Sequence, residues 1–489
     1  MKEEIKEKSF QSDEINEEIK IDIENDENNL ENNKNNKKKS VFLQKVDKFF
    51  KISERGSSFK KEFLGGLVNF MVISYIMVVI PGLFSGVGAE GLWKALFVAT
   101  ILTTILATLC MALWANLPII LAPGIGVASF VVGLIESGQY SYSQAMSISF
   151  LAGVLFVIVT ITGLRQKIVN AIPSSIKLAI PIGVGLFILN VGLSSSNSGI
   201  LDLLSGNATG FSAIVAVVSF IIMAVLYVKK VKGAIFYGIL GGTLLDIIIK
   251  FCVGTNPFEV LWTNSFLPPF KEMFEYSFLQ FDFAGLFTGN IFTAITSVIL
   301  TVFAVVLMDL FDTVGTLLAT AQKGNLLDEK GNVINQSRAM MIDGSGAVLS
   351  SCLGIPNASS YVESTSGIAS GARTGLSGLW TCLFFALSLF ISPIVMLIPV
   401  YATAPALILV GILMFDGVNK LDFKDLTVAI PAVLTIIIMP LSNNISIGIA
   451  VGLIAYTFIM IMTGQFKKIN AFTYVITILF LVYFITQYI

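Results

Sequence analysis

From Phe63 to its end the chain is a succession of apolar runs, most of them close to the roughly 20 residues that an α-helix needs to cross a bilayer. A chain of this kind folds in lipid. There, every backbone N–H and C=O must be bonded inside the protein, so the runs are expected to be helices. They fall at 63–84, 93–115, 118–136, 143–164, 172–193, 211–228 and 233–252. After a polar and aromatic stretch, seven more follow at 291–320, 338–354, 356–370, 375–398, 402–417, 425–441 and 444–463. A last run, 470–489, reads either as a fifteenth span or as a helix packed in the interface. Only 13% of residues are charged, where a soluble protein carries about a quarter, and residues 1–61 hold a large share of them.

The flanks set the organisation. Residues 1–55 are expected to form a disordered cytoplasmic tail, because their Lys, Glu, Asn and Asp bury too little apolar surface to fold. Within the tail region, Val41 to Ile52 fits a surface-lying helix whose Lys45, Lys48 and Lys51 meet lipid phosphates, or equally a solvated linker. With the tail in the cytoplasm, the inner loops hold Arg165, Lys167, Lys229, Lys230, Lys232, Lys323, Lys330, Arg338, Arg373, Lys420, Lys424, Lys467 and Lys468. The outer loops hold little more than Lys94 and Lys271. This asymmetry follows the positive-inside rule and supports fourteen spans, in a multi-pass protein of the cell membrane with a cytoplasmic N-terminus. Fourteen divides into two halves of seven, 57–252 and 291–463. The loop 253–290 joins them, and 464–489 is a C-terminal apolar segment. Seven is odd, so the second half is inverted relative to the first, a layout typical of secondary transporters.

Several chemistries are excluded. The chain has no histidine, and Cys110, Cys252, Cys352 and Cys382 show no ligand spacing, so neither a zinc site nor a Ser-His or Cys-His nucleophile can be built. A formal net charge of −1 points to no nucleic acid. No metal and no organic cofactor is expected.

Two spans are interrupted at corresponding places. The third contains Pro123, Gly124 and Gly126, and the tenth has Gly354 and Pro356 near its start. Proline removes a backbone donor and glycine tolerates extended backbone. In lipid such breaks persist only where they are buried or line a cavity, and a matched pair marks a transport site. Half-helices starting there aim free N–H groups and a positive dipole end at the site. Acidic residues deep in apolar runs add to the signal. Glu363 lies in the broken tenth span, while Asp309 and Asp312, three apart on one face, lie in the eighth. Asp246 and Asp343 adjoin no break and read as structural. Lys177 reads as snorkelling to the interface. Asn207 with Thr209 fits a glycosylation pattern that is common by chance.

The stretches A-P-G-I-G at 122–126, I-P-S-S-I-K-L-A-I at 172–180, D-L-F-D-T-V-G-T-L at 309–317, S-Y-V-E-S at 360–364, G-x-R-T-G-L at 371–376 and Y-A-T-A-P-A-L-I-L-V-G at 401–411 resemble the AzgA-like guanine/hypoxanthine/adenine permeases. These are nucleobase:cation symporters related to the xanthine/uracil permeases. The likeness covers about 57–489. It implies an all-α polytopic fold of 14 transmembrane helices, with a core of spans 1–4 and 8–11 and a gate of spans 5–7 and 12–14. It also implies proton-coupled purine uptake, Glu363 as the residue that holds the base, and Asp309 and Asp312 as the paired aspartates of the eighth span. There are departures. Ala128, followed by Ser129, stands where these permeases usually have Asn, Ile80 stands in a usual V-N-P, and Ile355-Pro356-Asn357-Ala358-Ser359 is closer to the uracil/xanthine branch.

The expectation is a proton-coupled nucleobase importer. The base sits between the broken spans beside Ala128, Ser129, Tyr361 and Val362. Glu363 and one aspartate accept its N–H groups, and Phe130 or Tyr361 stacks on the ring. Asp309, Asp312 and Glu363 are the candidates for proton coupling, and a homodimer would be unsurprising by analogy. The alternatives are the same fold carrying uracil, xanthine or another small anion, a channel, or an intramembrane aspartyl enzyme. Three acids and no base at the site weigh against an anion. Matched inverted breaks weigh against a channel, and two aspartates on one helix weigh against the enzyme.

Overall fold

The computed structural model describes residues 43–87, 91–162, 173–194, 198–204, 206, 211–258, 267–288, 291–327, 333–442 and 444–488. The expectations for residues 1–42, Arg165, Lys167, Asn207, Thr209 and Lys330 fall outside them. Residues 1–58 and 59–489 are two compact units. In the first, 43–50 is helical, and the Asp47 carboxylate closes the turn after it by accepting the Ser53 N–H at 2.8 Å and the Ser53 hydroxyl at 2.7 Å.

The second unit is an all-helical polytopic membrane protein. Its first half runs through Phe59–Leu83, Leu92–Ala115, a short strand β1 (Leu121–Pro123) continued by Ile125–Glu136, then Tyr142–Ile161, Ser174–Leu193, Ser212–Val228 and Ala234–Val253. The second half runs through Ile291–Gly324, Gln336–Leu353, a strand β2 (Ala358–Ser360) continued by Val362–Ser364 and Thr365–Ala369, then Leu376–Val395, Val400–Lys420, Leu426–Leu441 and Ile445–Met462. These are spans 1 to 14 of two inverted seven-span repeats. Among the described residues eight helices are long and apolar enough to cross a bilayer alone. Of the other six, spans 3 and 10 fall short because each opens with a three-residue strand before its helix begins. Isoleucine and leucine on the outside of spans 6 and 7, such as Ile221, Leu244 and Ile248, are exposed, as a lipid-facing surface requires.

The helices pack in two groups. Span 1 lies on span 11, span 2 on spans 9 and 11, and span 4 on spans 8 and 9; this is the core. Span 5 lies on spans 12 and 13, span 6 on spans 7 and 12, and span 13 on span 14; this is the gate. Without a hydrophobic force between helices in lipid, close packing rests on small residues. Gly185 of span 5 and Gly411 of span 12 show it, since a Cβ on Gly411 would lie 2.5 Å from the Gly185 carbonyl oxygen.

Two expectations are corrected. Span 1 is not one helix: Phe59–Ile73 ends and Ile76–Leu83 begins around Ser74 and Tyr75. Gly354 does not break span 10. It sits at φ +95° and ends span 9, with its N–H donating to the Ser351 carbonyl at 3.1 Å and the Ile355 N–H to the Ser350 carbonyl at 2.9 Å. Only glycine takes that backbone without strain. The loop after span 7 is folded against the core: Leu279 N–H donates to the Cys352 carbonyl, and Asp282 N–H to the Ser143 carbonyl and the Ser147 hydroxyl. The last apolar run forms Ala471–Tyr488 and joins span 14 through the Thr457 and Thr477 hydroxyls, 2.9 Å apart.

Candidate functional site

The strands β1 and β2 cross as an antiparallel pair, with Leu121 opposite Ser360, Ala122 opposite Ser359 and Pro123 opposite Ala358. Extended backbone at membrane depth must have its polar groups bonded within the protein. Here the Tyr361 N–H donates to the Ile120 carbonyl (2.9 Å), the Ile120 N–H to the Ser364 hydroxyl (3.0 Å) and the Leu121 N–H to the Thr108 hydroxyl (3.1 Å). The Tyr361 hydroxyl donates to the Pro123 carbonyl. Behind β2 the buried Asp343 carboxylate accepts the Thr313 hydroxyl and the N–H and hydroxyl of Ser360. Asp343 therefore ties span 8 and β2 to span 9, in keeping with its structural reading. Asp246 is likewise held within the gate, accepting the Tyr401 hydroxyl at 2.6 Å and pairing with Lys250 at 2.9 Å.

Each strand leads into a half-helix that starts at the crossing. In the first, the earliest helical bond is from the Ala128 N–H to the Gly124 carbonyl, so the N–H groups of Ile125, Gly126 and Val127 have no partner within their helix. In the second, the earliest is from the Ser364 N–H to the Tyr361 carbonyl. Both positive ends face a cavity of about 160 Å³. Drug-sized ligands occupy pockets of about 300–1,000 Å³, so this one suits a single small molecule.

The cavity wall is chemically divided. Core residues supply its polar groups: Gly124 to Val127, Ser359 to Glu363, Asp312, Thr316 and Tyr75. The gate supplies an apolar wall of Ile180, Pro181, Val184, Ile188, Val410 and Met414. Such a site fits a planar molecule with a polar edge and a flat, weakly polar face. Among the described residues no three His, Cys, Asp or Glu side chains stand together as metal ligands.

Of the residues expected at the site, Glu363, Asp312, Tyr361 and Val362 line the cavity. Asp309 does not. It is 3% exposed and accepts the Asn357 side-chain N–H at 2.9 Å, behind the wall. Three residues on a helix are about 60° apart around the axis, enough to put one aspartate in the cavity and the other beside β2. Ala128, Ser129 and Phe130 do not line it either, since the half-helix begins at Ile125 and its mouth is already formed by residues 124–127. Phe130 is fully buried in the apolar core, so the aromatic rings at the cavity are those of Tyr75 and Tyr361.

Sequence reasoning missed three polar side chains of span 1. The Glu62 carboxylate, fully buried, accepts the Arg373 N–H at 2.9 Å and the Ser377 N–H at 3.2 Å. The Asn69 side-chain carbonyl accepts the Gly367 N–H at 3.0 Å. The Tyr75 hydroxyl donates to Oε1 of Glu363 at 3.2 Å. Span 1 thus holds the segment carrying Glu363 at successive points. Thr316 was also missed, although its place one turn beyond Asp312 puts it on the same face.

Known proteins of this kind are numerous. The family profile described as "Permease family" (Xan_ur_permease) matches residues 60–451. A permease of Methanocaldococcus jannaschii is 36% identical, over 90% of this chain and 98% of its own. The guanine/hypoxanthine permease PbuO of Bacillus subtilis is 34% identical over 88% of this chain and 99% of its own, and the adenine permease AdeP of Escherichia coli K12 is 31% identical over 89% and 95%. Among solved structures, the transmembrane domain of the cyanobacterial bicarbonate transporter BicA superimposes with a TM-score of 0.58 at 16% identity, covering 80% of this chain and 96% of that one. That likeness carries the fold alone. From the family match and the full-length relatives, the chain belongs to the nucleobase permease family, whose members are membrane transporters and not enzymes.

Proposed function

We propose that the chain imports a purine nucleobase, guanine, hypoxanthine or adenine, by proton symport with alternating access. One observation carries the reading: two half-helix N-termini, the Glu363 and Asp312 carboxylates and an apolar gate wall converge on one small cavity. The carboxylates accept ring N–H donors, the backbone N–H groups serve a carbonyl oxygen or ring nitrogen, and the apolar wall covers the ring face. The relatives' names, guanine/hypoxanthine and adenine permease, favour guanine, hypoxanthine or adenine over the uracil or xanthine of the alternative reading.

Because the core supplies the polar groups and the gate only apolar cover, the base travels with the core as it shifts against the gate. Protonation of Asp309, Asp312 or Glu363 biases that shift. The lysine and arginine distribution supports a cytoplasmic N-terminus in the cell membrane, and assembly as a homodimer rests on analogy alone.

Reconstituted protein tests the coupling. Vesicles given an acid exterior should accumulate labelled hypoxanthine above its external concentration and release it when the gradient is collapsed. Equilibration without accumulation would show transport uncoupled from protons. Competition by uracil or xanthine in place of guanine, hypoxanthine and adenine would favour the alternative substrate.

A further inference from the structure

We propose that Tyr75 is a positioning residue for Glu363, fixing how that carboxylate meets a bound base; the proposal rests on the reading that Glu363 contacts the base. Glutamate has three side-chain torsions and, on the single 3₁₀ turn Val362–Ser364, little local structure to select among them. Tyr75 supplies the selection. Its hydroxyl donates to Oε1 at 3.2 Å, and its ring lines the cavity.

Tyr75 is itself rigidly held. It sits where the two helices of span 1 meet, 1% exposed, and its carbonyl accepts the Val78 and Val79 N–H groups at 3.1 and 3.0 Å. The other tyrosine at the cavity cannot take its place, because the Tyr361 hydroxyl is committed to the Pro123 carbonyl. The backbone that follows Glu363 is held from the same span, through Asn69 to Gly367 and Glu62 to Arg373. One element therefore places both the chain that carries the carboxylate and the carboxylate itself. A phenol that donates to a carboxylate keeps that group an acceptor and confines its plane.

The test is a double-mutant cycle on affinity and rate. Tyr75→Phe keeps the ring and its packing and removes the hydroxyl. Labelled hypoxanthine uptake and equilibrium binding to purified protein should show KM and Kd raised about tenfold, the order of one lost hydrogen bond to a charged group. Maximal velocity should stay within about twofold, as expected when binding alone is weakened. Glu363→Asp is one methylene shorter and withdraws the carboxylate from the Tyr75 hydroxyl. In that background Tyr75→Phe should add less than about twofold.

Equal losses from Tyr75→Phe in both backgrounds would show that the tyrosine acts on packing and not through Glu363, and would overturn the proposal. So would an unchanged Kd in Tyr75→Phe alone. If Glu363→Gln and Glu363→Asp both leave Kd unchanged, the reading of Glu363 as a base ligand fails first, and the positioning role falls with it.

Discussion

Glu62 offers the sharpest test of how the core is held together. Its carboxylate is fully buried and accepts two backbone N–H groups, from Arg373 and from Ser377 in the first turn of the helix Leu376–Ser388. It caps that helix from another span, where the macrodipole also favours a negative charge. Hydrogen bonds to a charged group contribute about 1.5–3 kcal/mol each, so two amount to roughly 3–6 kcal/mol. Removing the carboxylate also removes the cost of burying a charge, which offsets part of this and leaves roughly 2–4 kcal/mol for Glu62→Ala. Glu62→Gln keeps one carbonyl acceptor and turns an amide N–H toward the second donor, and should lose about half as much. The assay is thermal unfolding of detergent-solubilised protein followed by the loss of its monodisperse peak. At about 2–4 °C per kcal/mol for domains of 150–250 residues, and less for larger ones, Glu62→Ala should fall by roughly 4–10 °C and Glu62→Gln by about half of that. A melting temperature within about 1 °C of the parent for Glu62→Ala would refute the argument that this carboxylate braces span 11.

Gly126→Val should abolish measurable uptake with little change in thermal stability, because a Cβ there would stand 3.2 Å from the Val184 side chain in the cavity wall and its branches would fill the cavity; binding by purified protein checks it. Asp312→Asn should raise KM for hypoxanthine at least about tenfold, whereas Asp309→Asn should change KM by no more than about threefold, since only Asp312 lines the cavity; concentration-dependent uptake separates them. Outside the membrane, the backbone N–H of Ser53, followed by its hydroxyl, holds the Asp47 carboxyl below the usual carboxylate range. A lowered folded-state value stabilises the turn fully above the unfolded value, about 3.9, and the effect is lost as pH falls through the lowered one; protection of the Ser53 amide, measured against its intrinsic exchange rate at each pH, should fall across that window.

The sequence made the fold legible because lipid leaves so few options. Runs of about 20 apolar residues can only be spans, and the lysines and arginines between them fix how many there are. The broken state of spans 3 and 10 was legible because Pro123 with Gly124 and Gly126 in one half answers Pro356 in the other; proline alone was not the signal, since Pro81, Pro181, Pro405 and Pro431 sit inside spanning helices. The finer placement was not legible. Which residues of the third span reach the cavity depends on where its half-helix begins, and starting at Ile125 turns Ala128, Ser129 and Phe130 away. The spacing of Asp309 and Asp312 gives a shared face only to within about 60°, wider than the cavity mouth resolves. The break at Tyr75 left no mark, because V-I-S-Y-I contains neither Gly nor Pro. Glu62 and Asn69 were visible as polar residues in an apolar run, but their partners, Arg373, Ser377 and Gly367, lie some 300 residues away in sequence.

The central claim is that Glu363, at the mouth of the broken tenth span, binds a purine carried into the cell with a proton. The most direct measurement is uptake of labelled hypoxanthine, guanine and adenine into cells lacking their own permeases, by the parent chain and by Glu363→Gln present in the membrane at equal amounts. The account predicts saturable uptake of at least one purine by the parent, lost on adding a protonophore and lost in Glu363→Gln. Undiminished uptake by Glu363→Gln, or no purine uptake by correctly inserted parent protein, would contradict it.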